Sequence, residues 1–569
     1  MNKRAVFAAL GAIIACAQCP VTEAQTINVI YTTDVHGAVF NYDFVRDTIA
    51  PYSLSNVYTY VSAVRDTSKN VILLDNGDFL QGSPAVYYYN NVDTAGINVM
   101  ARIFNFMKYD AVGIGNHDIE ARHRVYDKIN REVNMPLVSA NIKHIESNTP
   151  YFKPYTIIER GGKRVAVIGL TTPYIPHWLA ESYWSGMYFE DMVDAAKYWV
   201  KEVREKENPD VVIGLFHAGF DYNYGNQSAD TYKNENASVL VAERVDGFDA
   251  ILIGHDHKLY NKEVISPSGK KVAVLDAGTK ARNAGLVSIT FDKEGKPQCH
   301  ASLIAMKSFK PSEEFDKAFL PQQLAVKAYT RKVITHLAEP VYAYECLGGS
   351  SAFVDVVHQT MLRHTGADIS MTAPLLIDAV LPKGDITIGR MFSLYKYENT
   401  LCLISMTGKE VKDYLEYSYD KWIQNPSKGT VLQLTKSGRL ANNYYNLDSA
   451  AGIIYTVDVT ADYGKRIKII SMADGKKFDK RKTYKVALNS YRANGGGGHL
   501  EFGAGIPFHD IQSRVIKSFD SDLRGQLIED FEEMSKSGEA VTLKPFGQWK
   551  LVPEEEIDAQ LEKDLNRIK

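Results

Sequence analysis

From Ile27 to about Phe291 the chain alternates short apolar, β-rich runs with helical stretches, and that alternation restricts this part to a layered α/β domain. The runs cover residues 27–33, 71–75, 111–114, 165–170, 211–216, 250–253, 272–276 and 286–291. Between them Met192, Ala196, Trp199, Val200 and Val203 recur at helical spacing, as do Ile97, Met100, Ile103, Phe104 and Met107. Five runs end in polar residues of metal-ligand type. These are Asp34 and His36; Asp75-Asn76-Gly77-Asp78; Gly115-Asn116-His117-Asp118; His217; and Gly254-His255-Asp256-His257. One such cluster alone carries little information. Five in series at strand C-termini carry much more, because that edge is where α/β sheets place their sites.

These residue types match one chemistry. A phosphoester hydrolase must neutralise phosphate oxygens, make hydroxide near neutral pH and stabilise both attacking and leaving oxygens. Two divalent ions about 3.5–4 Å apart do all three. Holding them that close requires a shared carboxylate, and Asp78 is the candidate bridge. With Asp34, Asp78, Asn116 and four histidines as ligands, two dications leave a net charge of about +2 to attract an anionic phosphate. The glycines beside Asp78, Asn116 and His255 let the backbone turn and approach closely.

Composition removes other classes. The 569 residues carry 65 Lys+Arg against 68 Asp+Glu, a net charge of −3, which argues against non-specific binding of nucleic-acid polymers. Hydrophobic residues at 45% and charged residues at 23% exclude extended disorder. No apolar run reaches about 18 residues, so no transmembrane span is expected. The longest run, residues 5–17, follows Lys3-Arg4 and precedes Thr22-Glu23-Ala24-Gln25, the pattern of a secretory signal cleaved after Ala24. A second option is lipidation at Cys16, since Ile13-Ile14-Ala15-Cys16 resembles a lipoprotein box. Either way the protein is expected to be exported, to the periplasm or cell surface. Cleavage leaves Cys299, Cys346 and Cys402, a sparse set in which one disulfide could form without the sequence indicating which.

Beyond the first domain, residues 311–338 are charged and helical. From Val341 to about Val552 the chain has more Tyr, Thr and Lys, hairpin-like strand pairs and one early helix over 352–364. The expected division is a signal at 1–24, a catalytic domain at 25–310, a helical linker at 311–345, a second domain at 346–552 and a tail at 553–569. The run Gly495–Gly498 directly follows a strand-like stretch and does not read as a flexible linker.

In their order, Asp34-x-His36, Gly77-Asp78, Gly115-Asn116-His117-Asp118, His217 and Gly254-His255-Asp256-His257 resemble the calcineurin-like metallophosphoesterases. Residues 32–37 (TTDVHG), 75–84 (DNGDFLQGSP) and 489–498 (NSYRANGGGG) narrow the resemblance to the exported 5'-nucleotidase family, over nearly the whole mature chain. The resemblance implies a layered metallophosphoesterase domain, a β-sandwich with flanking helices, followed by an α+β 5'-nucleotidase C-terminal domain. It implies that Asp34, His36, Asp78 and His257 hold one metal and that Asp78, Asn116, His217 and His255 hold the other. His117 would be the non-ligand catalytic histidine near the leaving group. In several relatives an acid three positions later orients that histidine; here the position is Glu120, a longer acid.

In the second domain, residues 393–400 (SLYKYENT) and 489–498 resemble the family's nucleoside loops, which places Tyr397 and Tyr491 on either side of a base with Asn399 nearby. One departure stands out. Where many 5'-nucleotidases have a Gly-Gly-x-Arg phosphate loop, residues 371–378 read MTAPLLID, without Arg. That departure, with residues 40–47 (FNYDFVRD) and DNGDFLQGSP, leans towards 2',3'-cyclic-nucleotide 2'-phosphodiesterase/3'-nucleotidases. The implied function is hydrolysis of 2',3'-cyclic and 3'-nucleotides by a monomeric enzyme with two divalent ions (Zn, Mn or Fe). The alternatives are a 5'-nucleotidase or UDP-sugar hydrolase and, in another class, an inactive nucleoside-binding surface protein.

Overall fold

The computed structural model describes residues 26–568, so the expected signal and Cys16 lie outside the described residues. The first half is built on two six-stranded sheets. In one the strand order is Pro297–Ala305, Asn283–Phe291, Ile27–Thr32, Val71–Asp75, Ala111–Gly113, Leu137–Val138. In the other it is Leu259–Ile265, Lys271–Ala277, Ala250–Ile253, Val211–His217, Lys163–Thr171, Tyr155–Arg160. The inner strands of both pair in parallel. Their C-terminal ends therefore lie along one edge of each sheet.

Strand alternation explains the layering. Ile27, Val29 and Tyr31 point into the space between the sheets, together with Ile72 and Leu74, and meet Val165, Val167, Ile213, Leu215, Leu252 and Leu275 of the second sheet. On the outer face of the first sheet Ile30, Leu73 and Val112 pack under the helices Leu54–Thr67 and Val99–Met107. On the outer face of the second, Ile168, Phe216, Ile251 and Ile253 pack under Met192–Glu207 and Ser238–Arg244. Helix, sheet, sheet and helix follow in order, the sandwich with flanking helices that the resemblance implied.

The helix Glu313–Thr330 falls in the stretch expected to link the halves, and it packs on the first. Phe315 and Phe319 lie against Phe106, with ring centroids 6.0 Å and 5.2 Å away. The second half holds a five-stranded sheet ordered Ser449–Ala451, Ile369–Thr372, Thr483–Asn489, Thr400–Thr407, Val515–Asp522. Helices Ala352–Thr365 and Gly408–Asp420 pack against it. Residues 553–569 were expected to be a tail, but Glu554–Ile568 is a docked helix. Its buried Asp564 accepts the backbone N–H groups of Val431 and Leu432 at 2.7 and 3.1 Å. Cys299, Cys346 and Cys402 are all free thiols. Among the described residues no helix is long and apolar enough to cross a membrane.

The halves meet beside the strand C-termini of the first. The Tyr183 hydroxyl lies 3.2 Å from Thr400 Oγ1, and the Tyr87 hydroxyl donates to Asp522 Oδ2 at 3.0 Å. His177 stacks between Tyr174 and, across the junction, Phe508, with centroids at 3.7 and 4.2 Å. The inter-sheet core should dominate the stability of the first half. Leu275→Ala, at a position with no solvent exposure, should cost about 2–5 kcal/mol, read as a lower denaturant midpoint.

Candidate metal centre and nucleoside site

The seven expected ligands lie together at the strand ends, whereas Asp75 turns away to accept from Thr32 Oγ1 and the Gly77 N–H. Asp34, His36 and Asp78 are buried, and five of the seven expected ligands have left-handed backbone: Asp34 (φ +48°), His36 (+46°), Asp78 (+58°), His255 (+82°) and His257 (+59°). The chain leaves each strand and turns within a residue or two, which aims the side chain back over the sheet edge. Close backbone approach makes room for them. A Cβ on Gly115 would lie 2.1 Å from Asp78 Oδ1, and one on Gly254 would lie 2.5 Å from Asp34 Oδ2.

Two groups of donors are distinguishable. Asp34, His36, Asp78 and His257 each offer a ligand atom, all within 4.8 Å of one another. His36 Nδ1 donates to the Gln81 carbonyl at 3.0 Å, which leaves Nε2 to face His257 Nε2 at 2.9 Å. Two imidazole nitrogens that close suit a common cation, since Zn–N bonds are about 2.0–2.1 Å. The second group is Asp78, Asn116, His217 and His255. His217 Nδ1 donates to the Asn76 carbonyl at 2.7 Å, and His255 Nδ1 lies 2.9 Å from Asn116 Oδ1. Asp78 belongs to both groups: its Oδ2 is 3.8 Å from His36 Nε2 and 3.2 Å from His217 Nε2. The 3.2 Å approach lacks hydrogen-bond geometry, so His217 Nε2 is buried without a partner. An orphaned imidazole nitrogen amid carboxylates, a carboxamide oxygen and further imidazoles fits a borderline divalent ion such as Zn, Mn or Fe.

Electrostatics agree. Burial would raise the Asp34 carboxyl, but His217 and His257 outweigh it and hold it down to about 2. Asp78 is likewise held well below the usual range, its burial offset by His217, His117 and His36. Burial pushes His36 down to about 3, so its ring is neutral. His217 rises to about 10, because Asp78 and Asp34 outweigh its burial. In the metal-free protein that proton occupies a ligand nitrogen.

His117 stands beside these groups. Its N–H donates to Asp78 Oδ1 at 2.8 Å, and its Nδ1 lies 2.5 Å from Glu120 Oε2. Burial lowers this histidine, yet Asp78 and Glu120 raise it to about 9. Two acids play supporting parts that the sequence did not assign: Asp118, named only as part of its motif, and Glu235, not picked out at all. Asp118 accepts the backbone N–H groups of Asp78, Phe79, Leu80 and Gly115, and Glu235 Oε1 lies 3.3 Å from His255 Nε2. Asp118 closes the Gly115–Asp118 motif, which was the available signal; Glu235 sits in an undistinguished loop.

The second half brings Tyr397, Asn399 and Tyr491 together. The Tyr395 hydroxyl accepts from Asn399 Nδ2 at 3.3 Å and from Asn489 Nδ2 at 3.1 Å, which ties the two loops. The Tyr491 ring lies against Gly496, where a Cβ would come within 2.5 Å of it. Burial, then Tyr444, Tyr491 and Glu120, raise the Tyr397 phenol. Tyr444 and Tyr445 were not picked from the sequence. The Tyr445 ring lies 6.2 Å from that of Tyr444, and its backbone carbonyl accepts from Arg492 Nη2 at 2.6 Å.

Residues 27–259 match the family described as calcineurin-like phosphoesterase, and residues 333–503 match the 5'-nucleotidase C-terminal domain. The chain carries a calcineurin-like phosphoesterase domain followed by a 5'-nucleotidase C-terminal domain. This metallophosphoesterase is 26% identical over 568 residues to a 2',3'-cyclic-nucleotide 2'-phosphodiesterase/3'-nucleotidase of Yersinia enterocolitica, covering 87% of this chain and 85% of that protein. It is 26% identical over 543 residues to the trifunctional nucleotide phosphoesterase YfkN of Bacillus subtilis, covering 83% of this chain but only 36% of that longer protein. In fold it resembles a 5'-nucleotidase precursor from Thermus thermophilus, with a TM-score of 0.63 and 22% identity over 93% of this chain and 100% of that one. Enzymes of this metallophosphoesterase class require divalent metal, and the Asp/His cluster is where this one can bind it.

With His217 as the expected ligand, loading the centre displaces its proton, whereas Asp34, Asp78 and His36 already hold their metal-binding forms. Titrating Zn²⁺ into metal-free protein at about pH 7–8, in buffers of different ionisation enthalpy, should therefore show net release of about one proton or more. Affinity should weaken as pH falls.

Proposed function

We propose that this metallophosphoesterase holds two divalent ions and hydrolyses 2',3'-cyclic nucleotides and 3'-nucleotides, as an exported monomeric enzyme. The observation that carries the two-ion reading is the placement of Asp78 Oδ2 between His36 and His217, one from each donor group. Asp34, His36, Asp78 and His257 would hold one ion, and Asp78, Asn116, His217 and His255 the other. Bound there, divalent ions would supply Lewis-acid charge for the phosphate oxygens and acidify the attacking water.

The remaining work falls to this chain's own groups. Tyr397 and Tyr491 hold the base, with stacking worth about 1–3 kcal/mol per face. Asn399, 7% exposed, keeps their loops in register through Tyr395. His117 keeps Glu120 on Nδ1, so its Nε2–H is free to give a proton to the departing ribose oxygen.

The choice of the cyclic and 3'-nucleotide branch rests on residues 371–378. Met371 and Leu375 point into the core of the second half, and no cation of that loop is available to grip a 5'-phosphate. The shared C-terminal domain type keeps 5'-nucleotide hydrolysis as the second reading. A panel of 5'-AMP, 3'-AMP and 2',3'-cyclic AMP with controlled Zn, Mn and Fe decides between them. The cyclic and 3' compounds should exceed 5'-AMP at least about tenfold in kcat/KM; the reverse order establishes the 5' reading.

Glu120 yields a separate expectation. In the metal-free protein Asp78 and then Glu120 raise His117 against its burial, and the Glu120 share acts through the Nδ1 contact. Glu120→Gln removes the support, and the alkaline limb of the pH–rate profile should move to lower pH. A limb that stays in place would remove Glu120 from proton transfer.

A further inference from the structure

His255 is held differently from His36 and His217. Those two donate from Nδ1 to the backbone carbonyls of Gln81 and Asn76, which turns Nε2 towards the centre. In His255 the carbonyl is replaced by a carboxylate and the ring is reversed: Nε2 lies 3.3 Å from Glu235 Oε1, and Nδ1 lies 2.9 Å from Asn116 Oδ1. A carboxylate only accepts, so Nε2 carries the hydrogen and Nδ1 of the neutral ring is a bare lone pair. The carboxamide oxygen in front of it is an acceptor as well. Two acceptors converging at 2.9 Å are a pair that a shared cation would join.

Glu235 is fixed in place from several sides. Its N–H donates to Gln227 Oε1 at 2.9 Å, and its carbonyl accepts from Thr172 Oγ1 at 2.9 Å. The Thr172 N–H in turn donates to the His217 carbonyl at 2.8 Å, and Asn236 Oδ1 accepts the Gly219 N–H at 3.1 Å. The carboxylate thus stands on the loop that follows one expected ligand, His217, and reaches another, His255. The Glu235 and His255 side chains are 13% and 11% exposed, so their contact is largely shielded from water. The Trp178 ring lies against the His255 ring, with centroids 5.4 Å apart and planes tilted by 31°. The His255 N–H donates to Asp34 Oδ2 at 3.1 Å. Backbone and ring are therefore both held, and the carboxylate decides which nitrogen faces the centre.

We propose that Glu235 is a positioning residue for one ion of the pair: it fixes the Nε2–H tautomer of His255, presents Nδ1 beside Asn116 Oδ1, and through its charge makes that nitrogen a stronger donor. The assignment rests on the two-ion reading above and deepens it by separating the two ions. Outer partners of this kind typically account for about 10- to 100-fold in metal affinity. Among the described residues His255 is the one expected ligand that Glu235 hydrogen-bonds or pairs with. The ion of the Asp34, His36, Asp78 and His257 group should therefore hardly respond to it.

The test is calorimetric titration of Zn²⁺ into the metal-free full chain near neutral pH, which needs no turnover. Asn116→Ala identifies the binding step that belongs to this ion. Glu235→Ala should weaken that same step about 10- to 100-fold and leave the other within about twofold, at wild-type Tm. Glu235→Gln keeps an acceptor oxygen without the charge and should recover part of the loss. An unchanged titration of Glu235→Ala, or equal weakening of both steps, overturns the assignment. Full recovery in Glu235→Gln overturns it too, because the charge would then be unnecessary. Should Glu235→Ala lose its fold, Glu235→Gln decides alone, and wild-type affinity there removes Glu235. A single step in wild-type protein would instead overturn the two-ion reading; Glu235 would then stand or fall with the weakening of that one step in its variants.

Discussion

Asp118 reaches neither a ligand position nor the nucleoside loops, yet the centre depends on its four hydrogen bonds. Oδ1 accepts from Phe79 and Leu80, and Oδ2 from Asp78 and Gly115. One buried carboxylate thereby clamps two strand-end turns together and satisfies N–H groups that would otherwise be stranded away from water. The clamp holds Asp78 in a left-handed conformation, and Asp78 in turn accepts the His117 N–H. The proposed bridging acid and the proposed proton donor are placed by the same device.

That placement opposes ordinary backbone preference. Left-handed conformations at residues such as Asp34, His36, Asp78, His255 and His257 cost on the order of 1 kcal/mol or more each. They persist because the sheets beneath are packed on both faces and leave the loops little freedom. Charge adds a second opposition, since Asp34 and Asp78 are buried within one cluster. In the metal-free protein His217 and its neighbours neutralise them; divalent ions would do so more completely, which makes the centre a strong cation site.

The second half completes the site from above. Tyr397, Tyr491 and Asn399 are set by hydrogen bonds converging on Tyr395, and the Tyr174–His177–Phe508 stack joins the halves close by. Glu120, on the catalytic side, influences Tyr397. The junction of the two halves lies beside the strand-end cluster, between separately packed cores.

Much of this was legible from the chain alone. Periodicity identified the parallel strands and the helices over them, because a strand buried on both faces must be a short apolar run and a covering helix must show a 3.6-residue stripe. The order of Asp, His and Asn at the strand ends indicated metal chemistry. Periodicity could not separate Asp78 from Asp75, which accepts from Thr32 and Gly77 instead, or His257 from Asp256 beside it. Those neighbours share residue type and loop. Only the positive-φ turns decide which side chain swings inward, and the strand alternation rule fails there. Glu235 and Tyr445 were out of reach for a related reason. Each is placed by a partner at least 20 residues away in sequence, which only the tertiary fold brings close.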